Sequence, residues 1–271
     1  MLNLLPWRRQ RPKVVHKQVR GHDEPILVLE DGDGMRSLHF GRGAVQSRMA
    51  VDDPSRLVLT YTQAMMATLL FAPPPRSALL IGLGGGSLAR FLHHHFADCT
   101  VHAVEPDADV VRVARDWFML PGDARLTLSQ TTGETFMASA PTDRHDLLLI
   151  DAYEADGPAR AIESETFFTA CRERLAPGGV LTINLWDNPP EYARRPLDLL
   201  ESCFDGRLLR LPVEGKGNLI AFAFRDHLPD LASRDHDHTA ALLANATGLP
   251  LKQLLNRLRQ HNPRRRLSLS G

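Results

Sequence analysis

Between Leu79 and Leu92 the sequence reads LLIGLGGGSLARFL. Three apolar residues, Leu79, Leu80 and Ile81, enter a cluster of glycines, Gly82, Gly84, Gly85 and Gly86, and an apolar pattern of helical period follows at once. A strand, a tight turn and a helix read this way when the turn lies against a ligand. Glycine there permits positive φ and lets backbone N–H groups approach a ligand with no Cβ in between.

The same alternation runs on from Ser77. The apolar runs ALLIG, VHAVE, LTLS, DLLLID and GVLTINLW are separated by segments of helix length such as DADVVRVARDWFML and ESETFFTACRERLAPGG. Short, nearly continuous apolar strands between helices predict a mainly parallel sheet covered on both faces. RLLRLPVE and NLIAFAF read as a closing antiparallel pair, and HTAALLANAT and PLKQLLNRLRQH as one or two helices packed on the sheet. Upstream, PILVLEDGDGMRSLHFG alternates about Asp31-Gly32-Asp33-Gly34 and predicts a β-hairpin, to which GAVQSRM adds a third strand. VDDPSRLVLTYTQAMMATLLFAPPP predicts a helix entered near Pro54 and Ser55 and stopped by three prolines. The expected divisions are a basic segment over 1–24, a small β unit over 25–53, an α/β domain over 54–226 and a helical tail over 227–271.

Lys+Arg and Asp+Glu are both 32, so nothing global favours nucleic acid or an anionic membrane. The basic clusters Arg8, Arg9, Arg11, Lys13, Lys17, Arg20 and Arg264, Arg265, Arg266 read as solvated termini. No run approaches the ~20 apolar residues of a membrane span, and MLNLLPWRRQRPK has the wrong charge order for a secretory signal. Cys99, Cys171 and Cys203 are too scattered for a disulfide framework or a zinc pattern, which fits a reducing cytoplasm. His93, His94 and His95 point in three directions from one helix end, and the DHDH stretch from Asp235 to His238 reads as a helix start, so no metal is expected. Trp117 and Phe118 read as helix core and Cys171 as packing.

Glu105 ends the strand after the glycine loop, 23 residues beyond Gly82. An acid there is placed to accept both hydroxyls of an adenosine ribose. The loop lacks the G-x-G-x-x-G spacing of a pyrophosphate site, which favours a sulfonium nucleoside such as S-adenosylmethionine over a dinucleotide. Asp151 ends a further buried strand, at the edge where open α/β sheets bind ligands.

From Asp151 the segment DAYEADGPARAIESETFF resembles the Asp-rich turn and following helix of the spermidine synthase family, the polyamine aminopropyltransferases, with Asp151, Gly157, Pro158, Ala159, Phe167 and Phe168 in the family frame. GRGAVQ resembles the family turn that sets a glutamine, here Gln46, beside the nucleoside. YTQAMM resembles the family helix that carries a substrate-holding tyrosine, here Tyr61. The resemblance covers roughly residues 25 to 225. It implies an α/β fold: a seven-stranded, mostly parallel, Rossmann-like methyltransferase-type sheet behind a small N-terminal β unit. It also implies transfer of an aminopropyl group from decarboxylated S-adenosylmethionine to a polyamine, with no permanently bound cofactor, in a cytoplasmic homodimer or homotetramer. Gln46, Gly82, Gly84, Gly85, Gly86, Glu105, Thr132 and Gly133 would hold the donor. Asp151 would be the base, with Tyr61 and Glu154 positioning the amine. Trp186, at a strand end, suits either a wall of the acceptor pocket or core packing.

The attacking amine must be neutral, although the reference pKa of a lysine-like amine is about 10.4. A carboxylate can orient it and accept its proton, while the thioether leaves neutral and needs no acid. Four departures bear on this. Gly85 stands where the family loop carries an Asp near the donor's ammonium, so that Asp107 or water would have to serve instead. Thr132 replaces an adenine-contacting Asp. Glu154 replaces the second acid of the Asp-rich turn, with Asp156 nearby. SRMAVDDPSRLVLT is longer than the family linker. A methyltransferase on the same scaffold, or a nucleoside-binding protein with little catalysis, stays open.

Overall fold

The computed structural model describes residues 12–263 apart from 21–22, 42, 44, 140–142, 152, 155–156, 159–163 and 216. Arg8, Arg9, Arg11, Arg264, Arg265, Arg266, Asp156 and Ala159 lie outside the described residues, as does the side chain of Glu154.

Four strands come first: β1 (Lys13–Arg20), β2 (Asp23–Glu30), β3 (Met35–Phe40) and β4 (Val45–Ala50), paired antiparallel in that order. The β2–β3 turn works through the residues the sequence offers. Asp31 Oδ1 accepts the N–H groups of Asp33 and Met35, and Gly34 takes φ +73°. The sheet starts at Lys13, so the segment expected as a basic terminus over 1–24 contributes a full strand. Its Lys13, Val14, Lys17 and Val19 are exposed while Val15 packs on the core beneath.

Residues 51–59 form turns, and the helix expected from Pro54 and Ser55 starts at Thr60. The reason lies in the partners of that segment. Arg90 Nε takes the Pro54 carbonyl at 2.8 Å, and Ser55 Oγ donates to Asp53 instead of capping a helix. Helix α1 (Thr60–Met65) continues as a 3-10 turn (Met66–Leu70) before the prolines.

The large domain then alternates: β5 (Ser77–Ile81), α2 (Ser87–His95), β6 (Thr100–Val104), α3 (Ala108–Trp117), β7 (Leu126–Ser129), α4 (Gly133–Ala138) and β8 (His145–Ile150). The short pair β9 (Tyr153–Glu154) and β10 (Gly157–Pro158) precedes α5 (Glu165–Glu173), β11 (Leu175–Trp186), α6 (Glu191–Cys203), β12 (Leu208–Val213) and β13 (Asn218–Phe224). Helices α7 (Arg234–Thr247) and α8 (Leu251–His261) close the described chain. The seven-stranded sheet runs β12-β13-β11-β8-β5-β6-β7, parallel except where β13 meets β11 and β12. The expected fold class stands.

Apolar side chains leave the central strands on both faces, as a sheet sandwiched by helices requires. One face packs Leu80, Leu149 and Val180 against α1, α2 and α8; the other packs Leu79, Leu148 and Leu181 against α4, α5 and α6. A third cluster joins Ile26, Val28, Leu38 and Met49 of the small sheet to Val110, Val113 and Phe118. Each fully buried side chain of this size contributes roughly 1.5–3 kcal/mol, so the small sheet is firmly seated on α3. Of the residues read as helix core, Phe118 is fully buried and Trp117 partly so. His93 faces Asp123, and the DHDH stretch opens α7, where His236 Nδ1 lies 3.1 Å from the Leu70 carbonyl. Cys171 is buried, and desolvation pushes its thiol pKa up, so it is packing rather than a nucleophile.

Candidate active site

Register builds the site. Ile81 pairs with Val104 and with Ile150, and Ile150 pairs with Ile183. The next residue on each strand is Gly82, Glu105, Asp151 and Asn184 in turn, so all four emerge at one level of the sheet's carboxyl edge. Three of them are visible in the sequence as strand-end residues. Asn184 is the one that sequence reasoning passed over.

In the glycine loop, Gly82, Gly84 and Gly86 adopt φ of +94°, +51° and +74°. These are left-handed conformations that favour glycine. Glu105 ties the loop to β6: Oε2 accepts the Leu83 N–H at 3.1 Å and Oε1 the Asp107 N–H at 3.1 Å. Burial raises the pKa of Glu105, and the N–H groups of Leu83, Asp107 and Gly84 oppose that shift. Each carboxylate oxygen has a further lone pair for a ligand hydroxyl.

Gly85 has no positive φ, and its reason for being glycine is space. A Cβ there would lie 2.7 Å from Ser47 Oγ, 2.9 Å from Ser47 Cβ and 3.0 Å from Phe118 Cδ1. Ser47, buried on β4, is in turn 3.1 Å from Ser87 Oγ at the start of α2. Thus β4 meets the loop through Ser47, and its neighbour Gln46 approaches with its backbone carbonyl, 4.0 Å from the Cβ position of Gly84. Arg90 fastens the loop from below. Its Nη1 donates to the carbonyls of Gly85 and Phe118, and its Nε to Pro54. Desolvation lowers its pKa to about 10. A basic residue in a short helix ordinarily reads as surface, so Arg90 gave no sequence signal.

Asp107 is not available as a substitute for the loop acid. Its Oδ1 accepts the Asp109 and Val110 N–H groups at the start of α3, and its Oδ2 is paired with Arg20 from β1. Thr132 caps α4 by accepting the Thr135 N–H at 3.1 Å. Gly133 is held by contact, since a Cβ would meet Ile81 Cγ2 at 2.5 Å.

Across the edge from the glycine loop, both carboxylate oxygens of Asp151 accept from side chains. Tyr61 OH donates to its Oδ2 at 3.0 Å and Asn184 Nδ2 to its Oδ1 at 2.9 Å. Its backbone N–H donates to the Ile81 carbonyl at 2.9 Å, so it borders the strand that delivers the glycine loop. Burial pushes the Asp151 carboxyl pKa up, against the two donated hydrogen bonds. A carboxylate held this way, raised by burial yet still an acceptor, suits proton acceptance. Glu154 lies on β9, two strand residues opposite β10, with Glu154 facing Gly157 in register. Trp186 ends β11 two residues beyond Asn184 on the same strand face; it is 38% exposed, which sets it at the site's rim rather than in the core.

Residues 59–193 match the family model described as Spermine/spermidine synthase domain. The chain is 34% identical over 262 residues to a polyamine aminopropyltransferase of Neisseria meningitidis serogroup A, covering 95% of each. It shares its fold with a probable spermidine synthase from Corynebacterium glutamicum, at a TM-score of 0.71 and 17% identity, covering 92% of this chain and 95% of that one. A human methyltransferase-like protein 13 solved with SAH is 25% identical, with a TM-score of 0.62, over 73% of this chain and 93% of that one.

Proposed function

Because this chain belongs to the spermine/spermidine synthase family and is a transferase, we propose that it moves the aminopropyl group of decarboxylated S-adenosylmethionine onto an amine of a polyamine. The observation that carries the reading is Asp151, a carboxylate fixed by Tyr61 and Asn184 beside the strand that leads into the glycine loop. The donor's adenosine would lie along Gly82–Gly86, with its ribose hydroxyls on Glu105 and its base near Thr132 and Gly133. Gln46 would close over it.

A primary amine of the acceptor, held near Tyr61, Glu154 and Trp186, gives a proton to Asp151 and attacks the carbon next to the sulfonium. The new N–C bond forms as the C–S bond breaks. The electron pair goes to sulfur, and methylthioadenosine leaves neutral, so no acid is required on that side. A homodimer or homotetramer in a reducing cytoplasm is part of the same reading. It is supported by the family resemblance and by three scattered cysteines, and among the described residues no helix is long and apolar enough to cross a membrane.

Methyl transfer is the second reading, and Gly85 favours it. With Ser47 and Phe118 filling the space beside it, the loop offers no carboxylate to a lone donor ammonium. An ordinary S-adenosylmethionine carries its own carboxylate. Incubating the protein with each donor and a set of diamines, and following methylthioadenosine against S-adenosylhomocysteine, tests both. Methylthioadenosine formed only with an amine present supports the first reading, and S-adenosylhomocysteine the second.

A further inference from the structure

Three glycines in a row, Gly84, Gly85 and Gly86, leave one peptide unit weakly determined. The unit between Gly85 and Gly86 turns over by rotating ψ of one glycine and φ of the next, and no Cβ on either side opposes it. A turned unit exchanges the places of its N–H and C=O, so a backbone cradle would present the wrong group to a ligand. The structure holds this unit from both ends. The Gly86 N–H donates to the Leu83 carbonyl at 2.8 Å, and the Gly85 carbonyl accepts from Arg90 Nη1. The first is a neutral bond inside the loop. The second is charge-assisted, a class about twice as strong.

The guanidinium is itself fixed. Arg90 is 4% exposed; its Nη1 also donates to the Phe118 carbonyl at 2.7 Å, at the end of α3, and its Nε to the Pro54 carbonyl at 2.8 Å, in the segment before α1. Turning the peptide would bring the Gly86 N–H toward this buried cation and the Gly85 carbonyl toward that of Leu83. Donor would meet donor and acceptor would meet acceptor. Burial already disfavours the charge, so losing one of its carbonyls is costly.

We propose that Arg90 is a positioning residue for the donor, acting through the Gly85 carbonyl to lock the Gly85–Gly86 peptide in the orientation the nucleoside meets. The inference rests on the glycine loop being the nucleoside's seat. Without Arg90 only the neutral Leu83–Gly86 bond and the contacts at Gly85 remain, and the peptide samples both orientations. A role in packing alone would change stability and leave the loop peptide as it was.

Two measurements are made on wild type, Arg90→Met, Arg90→Gln and Arg174→Met. Nitrogen-15 relaxation dispersion reads the amides of Gly84, Gly85 and Gly86 on the microsecond-to-millisecond scale. Calorimetry reads the affinities for S-adenosylmethionine, its decarboxylated form and methylthioadenosine. Wild-type loop amides show no dispersion. In Arg90→Met dispersion appears at Gly85 and Gly86. With the binding orientation reduced to about a tenth of the molecules, the dissociation constants rise about tenfold. Arg90→Gln, which fills part of the space without a charge, moves the same way and covers the case of an unstable methionine variant. Arg174→Met is the control for stability alone. It takes another buried arginine away from the carbonyls of Phe136 and Ser139, so the melting temperature falls and the glycine amides stay quiet. Quiet loop amides or unchanged affinities in a folded Arg90 variant overturn the lock, and so does equal dispersion in Arg174→Met. A wild type that binds none of the three nucleosides removes the donor seat instead, and the loop amides still decide whether Arg90 holds the peptide.

Discussion

The two sides of the carboxyl edge are held by different physics. At Asp151 the ordering comes from side chains: Tyr61 from α1 and Asn184 from β11 donate to one carboxylate, and Asn218 from β13 donates to Asn184. At Gly82–Gly86 the loop contributes only backbone, and its neighbours Glu105, Arg90 and Ser47 hold it by N–H groups, carbonyls and contact. A side-chain network depends on the identity of each member. A backbone cradle depends on space, so a residue can change there if a neighbour changes with it. At Gly85 it is Ser47 that occupies the room a larger side chain would need.

The sharpest way to break the contrast is to remove the proposed base. Asp151→Asn keeps the volume and loses the proton acceptor, so kcat falls roughly 10²–10⁴-fold with donor affinity unchanged. Steady-state kinetics and donor calorimetry on the same preparation check this; near-wild-type turnover would remove Asp151 from the chemistry. On the donor side, Glu105→Ala weakens nucleoside binding by about 1.5–3 kcal/mol, the scale of hydrogen bonds to a charged group. Calorimetry in a folded variant with unchanged affinity would take away the ribose role.

Tyr61→Phe probes the acceptor side more gently. The hydroxyl favours the ionised Asp151, so its loss adds to the upward push of burial. The Asp151 carboxylate then forms only at higher pH, and with Asp151 as the proposed base the acid limb of kcat/KM moves up. At pH values below the limb the rate falls about tenfold, while well above it the loss is smaller. A uniform drop at every pH would mean that Tyr61 only holds substrate.

Much of this was legible in sequence because apolar runs bounded by glycine or an acid mark strand ends directly. ALLIG, VHAVE and DLLLID gave β5, β6 and β8, and with them Gly82, Glu105 and Asp151. Strand β1 was hidden because KVVHKQVR carries its exposed positions as lysine and valine alike, which blurs the alternation. The start of α1 was misplaced because Pro54 and Ser55 read as a helix entrance, while their partners Arg90 and Asp53 are set by tertiary contact. Asn184 had a faint signal, a polar residue late in GVLTINLW, but its partners Asp151 and Asn218 come from other parts of the chain. Gly85 was grouped with loop glycines that permit positive φ, but its own φ is not positive, and local sequence says nothing of Ser47 lying beside it.

Ser47 gives the finest test, and the smallest expected effect. Gly85→Asp alone forces its Cβ within 3.0 Å of Ser47 Oγ and Cβ, so it destabilises the loop and reports mainly on strain. Ser47→Gly removes both of those atoms. The remaining neighbour, Phe118 Cδ1 at 3.0 Å, then needs to yield by a few tenths of an ångström. In the double variant the new carboxylate has room to meet a donor ammonium. The ratio of affinities should shift toward the decarboxylated donor by about 1 kcal/mol, roughly fivefold, because the pair stays partly open to water. Ser47→Gly alone should leave the ratio as it is. Thermal unfolding of all three variants comes first, then calorimetry with each donor. If the double variant is folded and its donor ratio matches wild type, position 85 does not select the donor. Glycine there would then be no argument for methyl transfer over aminopropyl transfer.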